Sequence, residues 1–137
     1  MHITFICTGN TCRSPMAEGI ARGIIAEKYP DKGITVSSAG LSAFNGEPAS
    51  QHAIDVCREK GIDLTGHRSR RLNPEIAEKT DIFAVMTQQH RYFLLRLGIP
   101  DHKIRVLGDI PDPFGGSEED YRQCRDRIYS ETEKLLN

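Results

Sequence analysis

Residues 3–15 read Ile3-Thr4-Phe5-Ile6-Cys7-Thr8-Gly9-Asn10-Thr11-Cys12-Arg13-Ser14-Pro15, and this stretch decides the fold. Ile3-Thr4-Phe5-Ile6 is a short β-prone run. Ser14-Pro15 opens a helical pattern through about Tyr29, with Ile20, Ile24 and Ile25 at helical spacing and proline in the first turn. Outward from this strand, loop and helix, the same alternation repeats. Ile34 to Ser38 reads as a strand, and Ser50 to Lys60 as a helix with Ala53, Ile54 and Cys57 on one side and Gly61 as its stop. Asp81 to Met86 holds a continuous apolar run, the mark of a strand covered on both faces. Helical Gln88 to Leu97 follows, then a strand at Lys103 to Leu107. The last helix runs from Ser117 or Glu118 to Leu136, with acidic residues in its first turn where the dipole favours them. Strand and helix in regular order predict an α/β fold, a parallel sheet with helices on both faces.

Composition agrees. The chain's 137 residues suit one domain, residues 1–137, large enough to hold a core without staples. Eighteen basic residues against nineteen acidic ones give a net charge of −1, which asks for neither nucleic acid nor a membrane. The start, Met1 to Ile6, lacks the basic residues and long apolar stretch of a signal peptide. Four cysteines at irregular spacings do not form a disulfide framework. A reduced, cytoplasmic, monomeric protein is expected.

In open parallel sheets the ligand sits beyond the carboxyl ends of the strands. Three segments fall there: Cys7 to Ser14, Ser38-Ala39-Gly40, and the loop Pro111-Asp112-Pro113-Phe114-Gly115-Gly116. Gly9 and Asn10 readily take left-handed backbone angles. A tight loop holding both, running into a helix N-terminus, can aim successive N–H groups at one point, as phosphate-binding nests do. Arg13 adds a planar fork of donors that matches two phosphate oxygens. Cys7 lies at the mouth of the nest, where the helix and Arg13 should lower its pKa, and the Ser14 hydroxyl can donate to its sulfur. A thiolate, a ring of amides and an arginine compose a phosphatase that works through a phosphocysteine. Asp112, between two prolines at the same sheet edge, is the candidate acid for the leaving group.

Cys7-x5-Arg13-Ser14 directly after the first strand, with a distant Asp112-Pro113, resembles the low-molecular-weight protein tyrosine phosphatase family over nearly the whole chain. The resemblance implies a three-layer sandwich of flavodoxin-like or Rossmann-like kind, with a four-stranded parallel sheet and the phosphate-binding loop after strand 1. It implies no metal and no organic cofactor. Cys7 is then the nucleophile, Arg13 binds the phosphoryl group, and Asp112 is general acid and later base for the attacking water. Thr8, Gly9, Asn10, Thr11, Cys12, Ser14 and Phe114 make up the remaining substrate-binding site, Asn10 and Ser14 matching the family's loop-shaping residues. Ser38 and His67 match outer hydrogen-bonding positions. The partners implied are phosphorylated proteins, with phosphate as product and inhibitor.

Two details narrow the resemblance. Thr11 stands where the eukaryotic tyrosine phosphatases usually carry isoleucine, and Phe114-Gly115-Gly116 where they carry paired tyrosines. Both features are similar to the bacterial protein arginine phosphatases of the family, and a threonine hydroxyl can accept from a guanidinium where a phenyl ring offers nothing. The reading is therefore hydrolysis of protein phosphoarginine, with protein phosphotyrosine as the alternative. A short Leu41 to Gly46 loop leaves Phe44 to supply an aromatic wall.

Other readings are weaker. Arsenate reduction needs two further paired cysteines, and Cys57 and Cys124 sit apart in helices, where core positions are expected. A phosphoprotein-binding module without activity would be expected to lack Cys7 or Asp112. The histidines show no metal spacing. His67-Arg68-Ser69-Arg70-Arg71 is a solvated loop or an attractant for phosphorylated protein. Cys7 and Cys12 bracket one tight loop and can approach within the roughly 7 Å a disulfide needs, so inactivation by peroxide is expected to be reversible.

Overall fold

The computed structural model describes residues 1–137. Its elements are β1 (His2–Cys7), α1 (Arg13–Lys28), β2 (Thr35–Gly40), α2 (Gln51–Arg58), α3 (Pro74–Lys79), β3 (Ile82–Val85), α4 (Gln88–Arg96), a single 3-10 turn (Asp101–Lys103), β4 (Ile104–Val106) and α5 (Glu118–Leu136). The four strands form one parallel sheet in the order β2-β1-β3-β4. Ile3 faces Val36 on one side and Ile82 on the other, so β1 is central.

The pleat divides the core between two faces. Ile3, Phe5 and Cys7 join Ala84, Met86 and the buried sides of α1, α2 and α5 (Met16, Ile20, Val56, Ile128). Ile6 joins Phe83, Val85 and Ile104 against Leu94 of α4. Both faces being covered explains why β1 and β3 read as near-continuous apolar runs. Thr4 is the exception in β1. Buried on the second face, it is satisfied by the Thr80 hydroxyl at 2.7 Å.

Two elements were invisible to periodicity. The helix α3 has no buried residue, so its six residues carry no apolar stripe, although Asn73 caps it and Pro74 begins it. The turn at Asp101–Lys103 is too short for a pattern. β2 also runs two residues further than its β-prone letters, ending on Gly40. A Cβ there would meet the Thr8 carbonyl oxygen at 2.6 Å and Asn10 N at 3.0 Å, so only glycine lets β2 close against the loop after β1. The chain reverses direction across the sheet at β1, with β2 on one side and β3 on the other. The carboxyl end of β1 is thus the topological switch point where such sheets hold ligands. No helix is long and apolar enough to cross a membrane.

Candidate active site

Cys7 ends β1 and Arg13 begins α1, so residues 8–12 must reverse the chain within five positions. Asn10 does this with φ of 57°, the left-handed region that asparagine tolerates. Its side chain is wholly buried and fully used. Nδ2 donates to Ser14 Oγ at 2.8 Å and to Ser38 Oγ at 3.0 Å, while Oδ1 accepts the Arg70 N–H at 2.8 Å. His67 Nε2 donates to the Asn10 carbonyl at 2.8 Å. The Ser38 hydroxyl in turn donates to Glu18 Oε1 at 2.6 Å. One asparagine therefore anchors the loop to α1, β2 and the 67–71 segment at once.

The result at the sulfur is specific. Cys7 Sγ lies 2.9 Å from Ser14 Oγ and accepts the Asn10 N–H at 3.3 Å. Burial is the largest influence on the thiol and pushes its pKa up, while the Ser14 hydroxyl, the Arg13 guanidinium and the Asn10 N–H pull it down. The expectation of a lowered pKa is corrected on this point. It counts the donors, which the sequence displays, and omits the depth of the sulfur, which the sequence does not.

Arg13 is buried, its NH1 donating to the Ile110 carbonyl at 2.9 Å. Its NH2 lies 3.7 Å from Asp112 Oδ2, and its Nε is buried with no partner in the protein, a donor left for a ligand oxygen. Asp112 is 49% exposed, and its Oδ1 accepts the Phe114 N–H at 3.0 Å in a local turn. A cleft of about 190 Å³ is lined by Cys7, Thr8, Gly9, Thr11, Cys12, Arg13, Asp112 and Phe114. Eight of the ten residues singled out from sequence thus line one cleft. Asn10 and Ser14 do not line it and instead sit behind the sulfur as supports.

Thr11 bonds no backbone group through its hydroxyl, whose one contact is Cys12 Sγ at 3.8 Å. Its carbonyl is used, accepting the Ser50 N–H at 2.8 Å. Cys12 is buried, 3.3 Å from Tyr121 Oη, and Cys57 and Cys124 are core thiols that burial pushes up to about 12. All four cysteines are free.

Sequence reasoning missed His90. It is buried at the start of α4, with Nε2 3.0 Å from Thr8 Oγ1 and Nδ1 unpartnered. Burial first, and then Arg13, hold its pKa down to about 4, against the upward pull of Asp112 and Asp109. It does not line the cleft and instead supports Thr8, which does. The sequence carries only a helix start, Thr87-Gln88-Gln89-His90, as a hint.

A nucleophilic sulfur, convergent donors and an adjacent carboxylate can move a phosphoryl group through a covalent intermediate. The comparisons with known proteins agree. A family profile described as "Low molecular weight phosphotyrosine protein phosphatase" matches residues 2–137. A "Protein-arginine-phosphatase" of Bacillus subtilis is 39% identical over 137 residues, covering 93% of this chain and 89% of that protein. The solved structure of "YwlE arginine phosphatase", a mutant with a phosphorylated active-site serine, superposes with a TM-score of 0.91 at 37% identity, covering 98% of this chain and 93% of its own. A low molecular weight protein tyrosine phosphatase from T. tengcongensis gives a TM-score of 0.92 at 34% identity, covering 99% and 97%.

Proposed function

Because the chain belongs to the low molecular weight phosphotyrosine protein phosphatase family and is a hydrolase of that kind, we propose that it removes phosphate from phosphoarginine in proteins. The first step is attack of the Cys7 thiolate on phosphorus. The S–P bond forms, the P–N bond to the guanidino group breaks, and Asp112 gives its proton to the departing nitrogen. In the second, Asp112 takes a proton from water, the water oxygen bonds to phosphorus, the S–P bond breaks, and phosphate leaves with the thiolate restored. Arg13 and the loop amides of residues 8–12 hold the equatorial oxygens through both steps. The phosphorylated serine in the YwlE mutant structure supports a phosphoenzyme at the nucleophile's position.

The observation that carries the choice of arginine is the Thr11 hydroxyl in the cleft wall, whose one hydrogen bond is the long contact with Cys12 Sγ at 3.8 Å, in the same cleft that Asp112 lines. It can accept from a guanidinium N–H, a group whose burial without a partner is costly. The names of the relatives from Bacillus subtilis and Geobacillus stearothermophilus, each a "Protein-arginine-phosphatase", agree with this choice. Phosphotyrosine is the second reading, favoured by Phe114 at the cleft and by the tyrosine phosphatases among the relatives. The test is hydrolysis of matched phosphoarginine and phosphotyrosine peptides by wild type and Thr11→Ile. Wild type should prefer phosphoarginine, and the variant should lose about tenfold or more on it, the scale of one unpaired polar group. A wild type that prefers phosphotyrosine overturns the arginine assignment. We read the enzyme as a single domain over residues 1–137 that acts as a cytoplasmic monomer. Light scattering should return a mass near 15.3 kDa, and a dimer mass would contradict it.

A further inference from the structure

One patch beside the cleft carries charge that the fold does not use. His67-Arg68-Ser69-Arg70-Arg71 holds three arginines, and no acidic residue occurs between Asp63 and Glu75. All three arginines are exposed. None forms an ion pair, in a chain where twelve such pairs occupy cations elsewhere. Arg70 is committed to the scaffold, its NH2 donating to the Ser38 carbonyl at 3.2 Å. Arg68 reaches only the carbonyl of its neighbour His67 at 2.7 Å, and the Arg71 guanidinium forms no hydrogen bond.

This patch is fastened to the active site. Ser69 is buried and stitches its segment to the 44–47 loop. Its N–H donates to the Glu47 carbonyl at 2.7 Å, its carbonyl accepts the Gly46 N–H at 2.8 Å, and its hydroxyl donates to the Phe44 carbonyl. The Arg71 N–H donates to Asn45 Oδ1 at 2.8 Å. The joined loops are tied to the phosphate loop by Leu41 N–H on the Cys7 carbonyl at 3.0 Å and Ser42 N–H on the Thr8 carbonyl at 2.9 Å. Phe44, 76% exposed, belongs to the same platform. Fastened to the loop that holds Cys7, this platform is within reach of residues that flank the phosphorylated side chain of a bound protein.

We propose that Arg68 and Arg71, with Phe44 beside them, dock an acidic stretch of the phosphoprotein substrate next to its phosphorylated residue. The proposal rests on the phosphoprotein reading of the cleft. Guanidinium forks match carboxylates in pairs. Exposed pairs are individually weak and easily screened, so the platform acts on capture of the substrate and not on the chemical step.

The test uses the whole enzyme, two phosphopeptides that differ only in acidic or neutral flanks, and p-nitrophenyl phosphate. At low salt the acidic peptide should show a KM about three- to tenfold lower, as two exposed pairs allow. The gap should close by about 0.5 M salt, where screening leaves only a few Å of reach. Arg68→Glu/Arg71→Glu should erase the gap while leaving kcat and p-nitrophenyl phosphate turnover unchanged. Equal KM values for the two peptides in wild type overturn the proposal, as does a double variant that weakens both peptides alike. If neither peptide is hydrolysed while p-nitrophenyl phosphate is, the phosphoprotein reading falls first and the docking with it. Salt-sensitive binding of single-stranded RNA, lost in the double variant and without any flank effect, would assign the patch to nucleic acid and overturn the proposal.

Discussion

The two sides of the cleft are built by opposite means. On one side the phosphate loop is rigid. Asn10 and Ser14 are wholly buried, and Asn10 alone joins α1, β2 and the 67–71 segment. On the other, Asp112 is half exposed, held by flanking prolines, a loose 3.7 Å ion pair with Arg13 and one turn bond to Phe114, itself 76% exposed. The difference follows from what each side must do. An anion nest works when its donors are fixed before the charge arrives, since no energy is then spent on reorienting them. A proton donor must meet the leaving group of a whole protein at the surface, and an open loop admits it. Substitutions should therefore separate the two sides, through stability on one and through the leaving group on the other.

Cys7→Ser, at the meeting point, should have the largest effect: turnover is abolished while phosphate or vanadate still binds, as titration calorimetry can show. Activity within tenfold of wild type would remove the phosphocysteine route. Asp112→Asn should lower kcat/KM, which reports phosphoryl transfer to Cys7, by roughly 10²–10⁴-fold for poor leaving groups and less for activated aryl phosphates, and an equal loss across leaving groups would place the acid elsewhere. Its stability should stay within about 0.5 kcal/mol of wild type, as for other exposed sites. Asn10→Ala should do the reverse. It leaves several buried partners unpaired and puts alanine at positive φ, for a loss of about 3 kcal/mol or more in chemical denaturation.

Ser14→Ala tests how the sulfur is charged. Removing a donor from Cys7 should raise its thiol pKa further, shifting the pH profile of alkylation by iodoacetamide to higher pH. An unchanged profile would leave the 2.9 Å contact without electrostatic effect.

At neutral pH the smallest effect is expected at His90, whose contribution is confined to acid. An unfolded imidazole takes its proton near pH 6.5, and the folded one only near 4, so acid favours the unfolded chain across that window. His90→Asn should flatten the loss of stability between those two pH values, with denaturant midpoints as the readout. A slope identical to wild type would mean that another group carries it.

How much of this was legible in the sequence follows chain distance. The nest could be read because Cys7, Gly9, Asn10, Arg13 and Ser14 are contiguous and each residue type has a local reason to be there. Asp112 could be read because its two prolines mark a shaped loop at a strand's end. The supports of Asn10 lie 28 to 60 residues away, where residue types alone do not show which partners meet: Ser38 and His67 came through the family resemblance and do bond to it, and Arg70 was not found. His90, brought to Thr8 from 82 residues away by α4, left only the start of that helix as a local trace. The burial that opposes the Cys7 thiolate is likewise a property of the packed sheet, not of the motif.

The account's central claim is the covalent step at Cys7, and the Asp112→Asn variant tests it most directly. With an activated aryl phosphate the first step needs little protonation, while hydrolysis of the intermediate still needs the missing base. Rapid mixing should release the aryl group in a burst of about one equivalent per enzyme. Mass spectrometry and phosphorus NMR of the quenched protein should then place one phosphate on the Cys7 sulfur. A burst-free time course with no phosphoenzyme, or phosphate on any other side chain, would contradict the account.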